Sequence, residues 1–178
     1  MNSQLSTLNF QLSTLIILCC VFFAATVHAA CNLDMPASTP DSQLIDNGDG
    51  TITDSKTGLM WKQCVEGHSL PGCTGTAGSF TWQQALQQPG VVNATGFAGY
   101  TDWRLPNLKE LRSIVEEQCY SPAINATRFP NTPSSLVWSG SPYANGSDGA
   151  WYVGYNYGVS GSGNRGYNYA VRLVRGGQ

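Results

Sequence analysis

The chain has 178 residues, a formal net charge of −2 and only 11% charged residues. A slightly acidic balance excludes nucleic acid as partner, because neutralising phosphates needs an excess of Lys and Arg. The length suits one domain with a core of its own once a leader is removed.

Residues 1–30 contain no Asp, Glu, Lys or Arg, and Leu15 to Val27 is an apolar run of signal-peptide length. Val27-His28-Ala29 places cleavage after Ala29, so residues 1–29 are assigned to a signal peptide. No later segment is apolar enough to span a membrane. The expected destination is secretion or the cell surface, with the periplasm as a third compartment. A lipid anchor on Cys31 is the weaker reading, since His28 stands where that processing site takes an aliphatic residue. Four cysteines remain after the leader: Cys31, Cys64, Cys73 and Cys119. An even count in an exported chain predicts two disulfides. Cys64 and Cys73 bracket a short loop with Gly and Pro, and Cys31–Cys119 follows by elimination, tying the mature N-terminus to the end of a helix. In the chain-entropy model so long a loop contributes on the order of 4 kcal/mol. With no CxxC and His68 as the one mature histidine, no metal or other cofactor is expected.

Residues 30–43, rich in Pro, Ser and Thr, predict an extended lead-in to a domain over 44–178. Short strands are predicted at Leu44-Ile45, Thr51–Thr53 and Leu59–Lys62, separated by the turn signals DNGDG (46–50) and SKTG (55–58). The first turn resembles a calcium loop, but EF-hand register puts Ile45 and Lys56 where ligands belong, so a hairpin is expected. Thr81-Trp82-Gln83-Gln84 is a capping box opening a helix that runs to about Gln88 and stops at Pro89. Asn107-Leu108-Lys109-Glu110 opens a second, with Leu108, Leu111, Ile114 and Val115 as its apolar stripe. From Val137 the pattern alternates as strands, with Trp151, Val153 and Tyr155 inward and Tyr152, Gly154 and Asn156 outward. The class is α+β: two helices packed on short antiparallel strands, with the N- and C-terminal strands meeting.

The segments 46–64, 80–86, 97–125 and 169–178, among them FAGYTDWRLPNLKELRSIVEEQCYSPAIN, resemble the Lcl C-terminal domain family. The resemblance implies a C-type-lectin-like fold, association with bacterial surfaces and, from the family's namesake adhesin, binding of sulfated polysaccharide. It makes Trp103, Leu105 and Leu111 scaffold. The Glu-Pro-Asn and Gln-Pro-Asp motifs of calcium-dependent lectins are absent, so that mode of sugar binding does not transfer. The stretch 141–175 also looks like the variable region of proteins diversified by retroelements, where adenine randomisation cannot produce Lys, Glu, Gln, Met or Trp at AAC codons. Residues 138–175 contain no Lys, Glu, Gln or Met, against sixteen in residues 31–137, and Trp138 and Trp151 would then be fixed scaffold.

Between Tyr143 and Tyr169, twenty of 27 residues are Tyr, Gly, Asn or Ser. That is the composition of adaptable contact loops: Tyr supplies amphipathic area at low entropy cost, and the small polar residues hydrogen-bond. The expected ligand contacts are Asp148, Tyr152 and Asn156, with Tyr157, Val159, Ser160, Ser162, Asn164, Tyr167 and Asn168 in a connecting loop. Arg172 and Arg175 are expected to fix the terminal strand by ion pairs with the helices. The partner is a protein or glycan of unknown identity.

Two other readings compete. A polyanion-binding adhesin needs Lys62, Arg104, Lys109, Arg112, Arg128 and Arg165 on one face. An enzyme related to the formylglycine-generating proteins needs reactive cysteines, which the two bridges consume. Glu116 and Glu117 diverge by about 100° on a helix and make no acid/base pair, so no catalytic residue is assigned.

Overall fold

The computed structural model describes residues 29–176. The assigned leader falls outside them save for Ala29. The first sheet is built from β2 (Leu44–Asp46), β3 (Thr51–Asp54) and β4 (Leu59–Lys62), joined on its far side by the C-terminal strand β9 (Val174–Gly176). Every pairing is antiparallel, and β9 meets the N-terminal strands at β4, as expected. The DNGDG segment is a hairpin turn whose carboxylates serve the turn itself. Asp46 accepts from the Gly48 N–H at 2.9 Å, and Asp49 from the N–H and hydroxyl of Thr51 at 3.0 and 2.6 Å.

A second antiparallel sheet has β7 (Gly149–Gly154) between β6 (Leu136–Pro142) and β8 (Val159–Asn164). Its two faces meet different cores. Val137, Val153 and Tyr155 join Trp61, Leu111 and Ile114, while Trp138 and Ala150 join Trp103, Ala85, Val171 and Leu173. A sheet wet on one side was expected; this one is covered on both over its central strand. Trp103, Leu105 and Leu111 are buried scaffold, as the resemblance implied.

Both capping boxes are present. Helix α1 spans Trp82–Thr95, however, and passes straight through Pro89. The proline forfeits one hydrogen bond and crowds the carbonyl four residues back, a cost offset because the continuation is held elsewhere. Val92 is buried, and the Asn93 amide pairs with the Trp103 backbone in both directions, at 2.8 and 2.9 Å. Gly96, at φ 72°, then ends the helix in a left-handed cap. Helix α2 is short, Leu108–Ser113, with Ile114 and Val115 buried just past its end.

Both predicted disulfides are formed. Cys119 lies on β5 (Cys119–Tyr120), not at a helix end, directly opposite Cys31 on β1 (Ala30–Cys31). Bonded in this way, the Cys31 thiol is unavailable for lipid attachment. The lead-in is likewise pinned rather than merely extended. The Glu116 carboxylate accepts from the N–H and hydroxyl groups of both Ser38 and Thr39 at 2.8–2.9 Å. Burial pushes the Glu116 pKa upward, but these bonds and the Gln118 N–H outweigh it and hold it below the usual carboxylate value.

The C-terminal segment unites these parts. Tyr169 exchanges backbone bonds with Phe80, and Ala170 bonds both Leu136 and Trp138 of β6. Further on, the carbonyls of Val171 and Leu173 accept from Glu66 and Lys62. Between them Arg172 is 0% exposed. Among the described residues it makes no ion pair with a helix, contrary to expectation. Its guanidinium donates to the Lys62 and Gln63 carbonyls and the Thr132 hydroxyl, over the Phe129 ring at 4.7 Å. Burial lowers its pKa to about 10, with Tyr155 and Glu66 opposing, so the group stays cationic at neutral pH. Arg175 does form an ion pair, but with Asp102 on the loop before α2, at 2.7 Å.

Two outcomes follow from these contacts. Arg172→Ala should cost about 3 kcal/mol or more, from the cavity and the orphaned carbonyls, read as a fall in denaturation midpoint. Because the folded Glu116 pKa is depressed, its contribution is complete above the unfolded value of about 4.3 and disappears as pH falls through the folded one. Glu116→Gln should therefore lower stability at pH 7 and flatten the stability decline in acid. An unchanged acid slope would contradict this role for Glu116.

Candidate binding surface

The register of the second sheet sets Trp138, Tyr152 and Gly161 side by side, with Ala150 opposite Gly163 and Gly154 opposite Val159. Residues opposite one another share a face, so Tyr152 leans over β8. Glycine is needed there by close approach. A Cβ at position 161 would stand 2.6 Å from the Tyr152 hydroxyl, and one at 163 would stand 2.8 Å from that of Tyr169. The two tyrosines thus lie across a bare strip of edge strand.

Their rings form one aromatic cluster. Tyr169 packs 4.3 Å from Trp138 and 5.3 Å from Tyr152, edge-on to the latter, and Tyr167 follows at 6.4 Å. Such pairs contribute roughly 0.5–1.5 kcal/mol each beyond area burial. Trp138 is fully buried, Tyr152 and Tyr169 are half-buried, and Tyr167 is 60% exposed. The cluster therefore grades from core to solvent. Burial, and then the neighbouring Tyr152 and Tyr167, raise the Tyr169 pKa, so its hydroxyl stays protonated and can both donate and accept.

Beyond Tyr169 opens a cleft of about 510 Å³, bordered by Ser79, Ser134, Ser135, Asn156 and Asn168. Leu136 and Ala170 add apolar surface, and no residue lining it carries a charge. Asn168 is exposed. Asn156 is half-buried, and its Oδ1 is covered and has no hydrogen-bond partner among the described residues. That oxygen lies 2.7 Å from where a Cβ on residue 154 would stand.

The ten expected contacts do not form one patch. Tyr152, Asn156 and Asn168 gather at the aromatic face and cleft, and Tyr167 stands beside Tyr169. Val159 shares that face by register and is exposed. Tyr157, 69% exposed, occupies the turn next to Asn156. Asp148 and Asn164 bond each other at 2.8 Å, at the opposite end of β8 from that turn. Alternation puts Ser160 and Ser162 on the α2 side, where Ser160 accepts from Arg112 at 3.3 Å. The loop expected over 159–164 is the edge strand β8, since its small residues let it pair with β7 along its full length. Two of the outward assignments also change. Gly154 is buried against Leu136 and Asn156, and Tyr152 is half-covered by the Tyr169 ring. Tyr169, Ser79, Ser134 and Ser135 were missed. Only the Tyr167–Tyr169 spacing hinted at the first, because the serines arrive from distant segments.

The cations expected to make a basic face are mostly engaged already. Lys62 pairs with Glu66 at 2.7 Å and Arg104 holds Glu110 through two bonds of 2.7 and 2.6 Å. Arg112 and Arg128 stand 3.8 and 3.7 Å from Glu117 and Asp41. Arg165 stacks on Trp82 at 4.4 Å and donates to the Gly149 carbonyl, leaving Lys109 exposed.

The family model of the Lcl C-terminal domain matches residues 50–175. The chain belongs to the Lcl C-terminal domain family. No curated protein matches it. The matched span of this Lcl C-terminal domain runs from the β2–β3 turn to β9, so it contains the aromatic cluster and every residue of the cleft.

The fit of Tyr152 over β8 is open to a direct check. Gly161→Ala should displace the Tyr152 ring, changing near-ultraviolet circular dichroism, with a stability loss of about 1–2 kcal/mol. An unaltered aromatic spectrum would mean that the ring does not lie across the strand.

Proposed function

We propose that this chain is an exported, non-catalytic ligand-binding protein whose contact surface is the tyrosine face of the second sheet and the cleft beside it. The observation that carries the reading is the graded cluster Trp138–Tyr169–Tyr152–Tyr167, fixed at its root and open at its tip. Rigid, half-exposed tyrosines beside small polar residues offer contact area at low ordering cost. Export is supported by the apolar run Leu15–Val27 and by two disulfides, which persist in oxidising compartments. No helix among the described residues is long and apolar enough to cross a membrane. The absence of Lys, Glu, Gln and Met from residues 138–175 supports a diversified form of this surface. A C-type-lectin-like frame is the reading of the fold that the family suggests.

The sulfated-polysaccharide reading draws less support, since four of its six cations lie within 4 Å of a carboxylate. The test is a binding screen of the mature chain against immobilised glycans and cell-surface proteins. Tyr167→Ala should weaken capture about tenfold or more while lowering stability by only about 1 kcal/mol, the worth of its packing on Tyr169. Capture should also depend little on salt. Steep salt dependence, with Tyr167→Ala silent, would favour the polyanion reading instead.

A further inference from the structure

We infer that the cleft between Tyr169 and Asn156 receives an uncharged sugar ring, and does so without calcium. This rests on the binding function proposed above and names its ligand class. The cleft volume of about 510 Å³ falls within the range of roughly 300–1,000 Å³ typical of small-molecule sites. Its polar lining is made only of hydroxyls and amides, which both donate and accept and so match the hydroxyls of a sugar. No lysine, arginine or histidine lines it to neutralise a sulfate or carboxylate on a charged sugar. No aspartate or glutamate lines it either, so the hard carboxylate ligands that calcium takes are missing from this cleft.

Two features point to a ligand that the chain does not itself supply. The covered Asn156 Oδ1 has no donor among the described residues, and a buried acceptor without one costs about 1–3 kcal/mol. The last torsion of an asparagine side chain is broad, so a hydroxyl entering the cleft can claim that oxygen after a small rotation. The exposed Asn168, which also lines the cleft, makes no side-chain hydrogen bond among the described residues. Tyr169 also lines the cleft, and an aromatic ring there offers the C–H face of a pyranose a packing surface while the sugar hydroxyls seek the asparagine amides. The ring is held in place by Trp138 and Tyr152, at 4.3 and 5.3 Å. Binding there costs little reorganisation.

The experiment passes the mature chain over immobilised dextran, mannan, galactan and cellulose, with heparin as the charged comparison. Retention is expected on at least one neutral polysaccharide, unchanged by chelator or high salt. Asn156→Ala and Asn168→Ala should each weaken it between about threefold and tenfold, the equivalent of one hydrogen bond. Arg165→Ala, which alters the separate Trp82 stack, should leave it unchanged. Asn168 is exposed and serves as the variant that folds normally, checked by its melting temperature. No retention on a neutral matrix, retention on heparin alone that salt abolishes, or indifference to both asparagines overturns the inference. If Tyr167→Ala still abolishes capture of some other ligand, the wider binding function stands and only the sugar cleft falls. If no ligand of any class is captured, both fall.

Discussion

A guanidinium sealed inside the protein organises this domain. A buried charge is tolerated only when dipoles or rings replace most of the water it loses. Arg172 finds carbonyls from the end of β4, a hydroxyl from the 129–132 turn and the Phe129 ring, while its buried Nε has no partner among the described residues. Those partners are more than a hundred and some forty residues away in sequence, so the contact exists only when the first sheet, the turn and the returning chain are all in place. Val171 and Leu173 on either side of it bury into the second core. The C-terminal segment is thus fixed before it enters β9, and Tyr169, three residues earlier, is fixed with it.

That anchoring explains how a stretch so poor in large aliphatic residues becomes an ordered surface. Residues 143–169 bury Val153 and Tyr155 but hold no Leu, Ile, Met or Phe. They borrow order from β6, whose Val137 and Trp138 reach into opposite cores, and from the Tyr169–Phe80 exchange. The glycines of β8 then act by what they lack. With no Cβ at 161 or 163, Tyr152 and Tyr169 lie over the strand backbone with their hydroxyls toward its edge. Large rings on small neighbours give a firm surface that still presents polar groups.

Local chemistry was legible in the sequence, and long-range chemistry was not. Both capping boxes, the DNGDG turn and the Cys64–Cys73 loop are decided by neighbours in the chain, and each was read from residue types alone. The pairing of Cys31 with Cys119 followed from counting, but its setting in a two-stranded ladder did not. Pro89 misled because the reward for continuing α1 comes from Trp103, ten residues beyond Asn93. The alternation of β7 located Val153 and Tyr155 in the core, yet it could not show that a second layer covers the other face. For the same reason Tyr152 was placed in full solvent. The cleft was half-visible: Asn156 and Asn168 stood out by composition, whereas Ser79, Ser134 and Ser135 meet them only through the fold.

The most direct test of a rooted tyrosine face with a neutral cleft beside it is residue-level mapping of the surface by backbone amide shifts in solution. The mature chain would be titrated with the soluble oligosaccharide of whichever neutral matrix retains it. The account predicts perturbations concentrated at Asn156, Gly161, Gly163, Asn168 and Tyr169, with the α2 side of the sheet silent. Perturbations centred on Lys109, Arg112 and Ser160, with the cleft unmoved, would contradict it.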